Sequence, residues 1–218
     1  MRTRIKICCV KSIQEAKIAI ESGADAIGLV ARMPSGPGPI PDDLIKEIAQ
    51  SVPPFIGTFL LTSETSAADI IKHHHRTQTN TIQIVDMLSK GTYTQIKKAL
   101  PNVRIVQVIH VSGPESVVQA IQISEHVNAL LLDSGNPNLK IKELGGTGRV
   151  HNWTLSRQIR EFAKCPVILA GGLNPGNVKQ AITEVKPFAV DVCTGIRSDG
   201  ALDKEKLSAF VKNVCSGL

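Results

Sequence analysis

Aromatic side chains are scarce in this sequence. Phe, Tyr and Trp make up 3% of 218 residues, with a single Trp and a single Tyr. An interior must therefore be packed from Ile, Val, Leu and Ala, which suits strands buried on both faces under covering helices. No apolar run approaches the roughly 18 residues of a membrane span, and the chain does not open on a secretory leader. A cytoplasmic protein with no membrane partner is expected. No pair of cysteines has metal-ligand spacing, so the five cysteines are expected to be free thiols, not a disulfide framework. No basic stripe is interleaved with aromatics, so nucleic acid is not the expected partner despite the net charge of +6. That charge is either an ordinary mildly basic surface or an attraction for an anionic small molecule.

What is present is alternation. Short β-branched or apolar runs begin near residues 4, 24, 56, 81, 103, 128, 167 and 189, and each is followed by a helix pattern. The pattern shows no composition break, linker or low-complexity segment. It predicts a single-domain (β/α)8 barrel over residues 1–218. A doubly wound sheet usually places phosphate-binding glycines after its first strand, but Cys8 and Cys9 stand there instead. The glycine-rich turns come late, after the sixth, seventh and eighth strands.

Catalytic groups of such barrels sit at the C-terminal ends of the strands. Side-chain alternation puts Lys6 and Cys8 on the inner face of the first strand and Ile5, Ile7 and Cys9 on the other. A thiol beside an ammonium group is a usable base; a buried inert cysteine is the competing reading. Asp133 closes the apolar sixth strand, either as a catalytic acid or as a loop aspartate satisfied by backbone amides. The turn Ala170-Gly171-Gly172-Leu173-Asn174-Pro175 and the sequence Cys193-Thr194-Gly195 fit a main-chain phosphate cradle. Gly145-Gly146-Thr147-Gly148 suits a ligand cover. Closure of the barrel brings the eighth strand beside the first, so Asp191 is expected to pair with Lys6 and weaken its pull on the Cys8 proton. His73, His74 and His75 cannot all ligate one metal from consecutive helical positions, and a solvated helix end is expected. His110 and His151 could line the barrel mouth, and Trp153 reads as a packing anchor.

Lys6-Ile7-Cys8, Gly23-Ala24-Asp25-Ala26-Ile27-Gly28, Leu131-Leu132-Asp133, the 145–148 loop, Gly171-Gly172-Leu173-Asn174-Pro175 and Val190-Asp191-Val192, taken in order, resemble the phosphoribosylanthranilate isomerase family. The resemblance implies a metal-free, cofactor-free isomerase of tryptophan synthesis acting on a phosphosugar. It implies Cys8 as general base and Asp133 as general acid. The phosphate would be held by Gly171, Gly172, Thr194 and Gly195, with Gly146 in the cover, and the protein would be a monomer or homodimer. Five places depart from the family pattern. Cys9 replaces a glycine. Ser35-Gly36-Pro37 lacks the arginine expected to face the substrate carboxylate, leaving Arg32 or Arg197 as substitutes. Val85-Asp86 stands for His-Gly, His151-Asn152-Trp153 for Phe-Asp-Trp, and Cys193-Thr194-Gly195-Ile196-Arg197 for Ser-Ser-Gly-Val-Glu. Two alternatives stay open: an isomerase of a phosphosugar without the anthranilate carboxylate, and a phosphate-binding barrel without catalysis.

Overall fold

The computed structural model describes residues 2–135, 142, 144 and 148–216. Eight parallel strands close into a barrel in chain order. They are β1 (Arg4–Ile7), β2 (Ala26–Val30), β3 (Gly57–Thr62), β4 (Thr81–Ile84), β5 (Arg104–His110), β6 (Ala129–Asp133), β7 (Val167–Leu169) and β8 (Ala189–Val192). Between them run α1 (Ile13–Glu21), α2 (Asp42–Ser51), α3 (Ala67–Thr77), α4 (Tyr93–Ala99), α5 (Glu115–Ser124), α6 (Trp153–Phe162) and α7 (Val178–Val185), and α8 (Lys204–Cys215) follows β8. Before α8 the chain makes one 3₁₀ turn, Thr194–Ile196, and a small antiparallel ribbon, β9 (Arg197–Ser198) with β10 (Ala201–Leu202). The ribbon is too short for periodicity to reveal. No helix among the described residues is long and apolar enough to cross a membrane.

Two apolar layers result. Ile5 and Ile7 of β1 join Ile27, Leu29, Leu60, Ile82 and their like in the layer between barrel and helices. Cys8, Leu61, Val106, Leu131 and Ile168 fill the barrel interior. Inner and outer positions alternate in β1 as expected up to Cys8. At Cys9 the alternation stops, because its backbone takes a left-handed conformation (φ 60°). That turn brings Cys9 into the interior group as well, not to the outer face expected of it.

β1 closes on β8 in the register Lys6↔Asp191. The two side chains meet there, with Lys6 Nζ 2.8 Å from Asp191 Oδ1, at 2% and 8% exposure. The expected pair is therefore present at the barrel floor.

The histidine run is not a solvated end. His73 and His74 are buried. His73 Nδ1 lies 2.8 Å from Thr62 Oγ1 and Nε2 lies 3.1 Å from Asp42 Oδ1. His74 Nε2 bonds the Thr79 carbonyl at 2.7 Å. His73 staples α3 to the end of β3 and the start of α2, and His74 ties α3 to the segment that follows it. Only His75 faces solvent.

Candidate active site

Five of the expected groups line one cavity at the C-terminal ends of the strands: Cys8, Asp133, Gly171, Gly172 and Thr194. Cys8 follows β1, Asp133 ends β6, the glycines follow β7 and Thr194 follows β8. Gly195 is not among the lining residues. It sits behind them, where a Cβ would run into the Leu173 carbonyl and Asn174, so its lack of a side chain lets the loops after β7 and β8 touch. Arg32 is exposed and opens onto a neighbouring hollow with Glu64, Arg76 and Asp42, while Met33 faces both spaces. Arg197 is committed elsewhere: it forks onto Glu15 at 3.0 and 3.1 Å and donates to the Cys9 carbonyl at 2.6 Å. Neither arginine supplies the cation missing at Ser35-Gly36-Pro37. Gly146 lies outside the described residues.

The acid is set by burial. Asp133 is 9% exposed. Desolvation pushes its carboxyl above the ordinary carboxylate range, against the pull of the Ser134 amide and His110, with the Asp191 charge adding to the rise. Ser134 N–H donates to Asp133 Oδ1 at 2.7 Å and fixes the carboxyl rotamer. A carboxyl that holds its proton more tightly than usual is better suited to act as an acid.

The thiol is not activated at rest, in keeping with the expected Lys6–Asp191 pairing. Burial pushes Cys8 up to about 11 despite the nearby Lys6 ammonium, and Asp191 adds to the rise. Lys6 is answered by Asp191, so its charge does not reach the sulfur unopposed. Burial lowers the Lys6 pKa, yet Asp191 and then Cys8 carry it above the usual lysine value. The site thus holds a carboxyl whose protonated form burial favours, a thiol raised to about 11 and a Lys6–Asp191 ion pair.

The anion seat is main chain. Gly171 and Gly172 adopt φ of 77° and 64°, the left-handed region that glycine enters without strain. Asn174 and Asn177 hold this turn. Their amide groups donate to the Gly172 carbonyl at 3.3 and 2.9 Å, and Asn177 Oδ1 accepts from the Asn174 N–H at 2.9 Å. That bonding precedes α7, which begins at Val178. The N–H groups of Gly171, Gly172 and Thr194 reach no protein acceptor among the described residues. Unspent amides at a cavity rim favour an anion.

A Cβ on Gly172 would meet backbone atoms of Arg149 and Val150, which cannot yield as a flexible side chain would. Gly172→Ala is therefore expected to displace the turn. The left-handed strain alone is roughly 1–2 kcal/mol, so calorimetric titration should show inorganic phosphate binding weakened by about tenfold or more. Gly176→Ala, whose nearest neighbour is the Asn174 side chain at 3.2 Å, should leave it unchanged.

One lining residue escaped the sequence reading. Gln83 in β4 is 3% exposed, lines the cavity, and its Oε1 has no hydrogen-bond partner. A buried carboxamide left unpaired costs about 1–3 kcal/mol, which a ligand group can offset. The signal was legible: one amide inside Thr81-Ile82-Gln83-Ile84, a strand otherwise buried and mostly apolar. His110 and His151 do not line this cavity. His110 donates its Nε2–H to the Val85 carbonyl at 3.0 Å, and His151 bonds Ser156 Oγ at 2.7 Å. Burial lowers His151 to about 4, so it is neutral at pH 7. Trp153 packs against the core from the start of α6, in keeping with an anchor.

The cysteine inventory also changes. Cys9 and Cys193 form a disulfide with their Cα atoms 5.9 Å apart, and Cys8, Cys165 and Cys215 remain free. Their separation of 184 residues hid the pair from any spacing argument. Barrel closure places the chain segments that follow β1 and β8 side by side.

Comparison with known proteins agrees with this architecture. Residues 5–213 match the model of the family described as N-(5'-phosphoribosyl)anthranilate (PRA) isomerase. The chain is 37% identical over 211 residues to N-(5'-phosphoribosyl)anthranilate isomerase 2 of Methanosarcina mazei, covering 95% of this chain and 92% of that protein. Among solved structures, the phosphoribosyl anthranilate isomerase of Thermotoga maritima superposes with a TM-score of 0.80 at 29% identity, covering 99% of this chain and 100% of that one. A phosphoribosyl anthranilate isomerase in complex with reduced 1-(o-carboxyphenylamino)-1-deoxyribulose 5-phosphate gives 0.78 at 27% identity, with 99% and 100% covered. A closed eightfold barrel, an acid and a thiol at its mouth, and a match running almost end to end place this chain in the phosphoribosylanthranilate isomerase family.

Proposed function

We propose that the protein isomerises N-(5'-phosphoribosyl)anthranilate to the corresponding amino-deoxyketose phosphate, an Amadori rearrangement in tryptophan biosynthesis. Asp133 is the general acid and Cys8 the general base. The observation that carries this is one cavity holding a carboxyl whose protonated form burial favours, a thiol on a well-separated strand and a rim of amides without a protein acceptor among the described residues.

The chemistry follows from those protonation states. The phosphate seats on the amides at Gly171, Gly172 and Thr194 and fixes the sugar between the two groups. Asp133 gives its proton to the furanose ring oxygen as the C1–O bond breaks, and the amine lone pair closes a cationic Schiff base. Cys8 then removes the proton from C2, the C–H electron pair moves into the C1–C2 bond, and the resulting enol-amine tautomerises to the ketone. The acid acts first because burial favours the protonated form that can donate. The thiol is not yet a base, with its value pushed up to about 11. A substrate cation formed beside it favours the thiolate, so on ring opening the Cys8 proton passes to solvent and the thiolate is the base. Each transfer contributes about 10²–10⁴-fold.

One observation favours a related substrate. The cavity wall after β2 is Ser35, Gly36 and Pro37, which carry no cationic side chain. A phosphoribosyl amine without a carboxylate fits that wall as well. The test is direct: purified protein is given phosphoribosylanthranilate and, separately, phosphoribosyl amines lacking the carboxylate. Formation of the amino-deoxyketose phosphate from the first, together with rescue of a tryptophan auxotroph lacking the isomerase, supports the main reading. Turnover of the second group alone selects the other substrate. Folded protein that converts none of them overturns both.

A further inference from the structure

The family departures recorded in the sequence are not scattered. Cys9 and Cys193 are joined by a disulfide. Arg197 donates to the Cys9 carbonyl and locks onto Glu15 of α1. Cys9 Sγ lies 3.6 Å from the Pro37 carbonyl, and a Cβ on Gly38 would strike Cys9 Cβ. Cys9, Pro37, Cys193 and Arg197 therefore form one contiguous cluster on the cavity rim. The cluster touches all three working parts of the site. Cys9 follows the base Cys8, Cys193 precedes Thr194 of the anion seat, and Pro37 belongs to the wall from which the expected cation is missing.

We propose that Cys9–Cys193 is a thiol–disulfide exchange site that sets the affinity of the cavity for phosphosugars, with a dithiol reductant as its co-reactant. The inference rests on the phosphosugar reading of the same cavity. Cys9 is 4% exposed, while Cys193 is only partly covered and lines the cavity, so the reachable sulfur is that of Cys193. A reductant thiolate attacks Cys193 Sγ. The Cys9–Cys193 bond breaks, and Cys9 leaves with the electron pair and takes up a proton. The second thiol of the reductant attacks the mixed disulfide, Cys193 is released as a thiol, and the reductant departs as its own disulfide. In the oxidised form the chain just before Thr194 is tied to the segment after β1, so the Thr194 amide is held in place for an anion. In the reduced form that constraint is gone, and the Cys9 thiol is free to donate to the Pro37 carbonyl.

The closing experiment uses inorganic phosphate as probe and needs no turnover. Thiol titration of air-oxidised protein unfolded without reductant should find three thiols, Cys8, Cys165 and Cys215, and five after dithiothreitol. Phosphate should bind about tenfold more weakly to the reduced protein, because the seat is no longer preorganised. The double variant Cys9→Gly, Cys193→Ser should bind phosphate equally with and without reductant. Glycine accepts the left-handed backbone at position 9, so this variant folds. Five free thiols in the oxidised protein, or equal phosphate affinity in both states, overturn the proposal. Phosphate failing to bind in either state overturns the phosphosugar reading itself, and the exchange site falls with it.

Discussion

Asp133→Asn should lower turnover of phosphoribosylanthranilate by about 10²–10⁴-fold, the usual contribution of one positioned proton transfer, while leaving the protein folded. The amide keeps the shape of the carboxyl and can still accept from the Ser134 N–H, but it has no proton to give the ring oxygen. The stability arm of this prediction runs opposite to the activity arm. The folded-state pKa of Asp133 is raised, chiefly by burial, so between the unfolded and folded values the native state binds more protons than the unfolded chain. Stability therefore falls as pH rises through that window. Asparagine removes the penalty, so thermal unfolding at neutral pH should show the variant as stable as the parent or more so. The native rate should decline on the alkaline side as Asp133 loses its proton, and the residual rate of the variant should lack that limb. An unfolded Asn variant, or one with full activity, removes Asp133 from the acid role.

Much of this was readable before any coordinates. The barrel was legible because each strand is a continuous apolar run and each helix has its own period, and those signals are local. Cys8, Asp133 and the Gly171-Gly172 turn were legible because strand ends can be counted and the mouth of a barrel collects them. The Lys6–Asp191 pair was legible for the same reason, since closure makes the first and last strands neighbours. What escaped depends on single torsions or on desolvation. The left-handed turn at Cys9 breaks an alternation that holds up to Cys8, and so it delivers a sulfur to the cavity that pattern alone sends outward. The state of Cys8 depends on how completely burial and Asp191 offset Lys6, and a sequence lists charges without their desolvation. His73 and His74 look like a polar helix end until α2 and the segment after α3 supply Asp42 and the Thr79 carbonyl. Gly195 lies in the right turn but serves the contact between two loops, behind the cavity it was expected to line.

Lys6→Met and Asp191→Asn should each cost about 3–5 kcal/mol of stability, because each leaves the other charge buried and unpaired. For a chain of this size that corresponds to a fall in melting temperature of about 6–20 °C. The two losses should respond oppositely to pH. In the native protein Lys6 has a raised pKa, with Asp191 and Cys8 outweighing desolvation. A group of that kind lends stability below its unfolded value and loses it only as pH rises through the folded value, far into the alkaline range. The paired Lys6 is therefore silent near neutrality. In Asp191→Asn the ammonium is desolvated without its carboxylate, the folded state resists protonation, and stability should rise with pH. In Lys6→Met a carboxylate is buried without its cation, and stability should fall as pH rises. Melting curves collected from pH 5.5 to about 9 would show slopes of opposite sign. The double variant Lys6→Met, Asp191→Leu removes both charges and should recover most of the loss, since buried ion pairs and apolar replacements are often close in energy. Parallel slopes in the single variants, or a double variant no better than either, would show that the pair does not govern the barrel floor. Activity adds a separate reading. With Asp191 gone and Lys6 still charged, the opposing carboxylate no longer holds the Cys8 thiol up, so alkylation of Cys8 should quicken in Asp191→Asn and slow in Lys6→Met. The floor of the barrel thus supports the fold and sets how reluctantly the base gives up its proton.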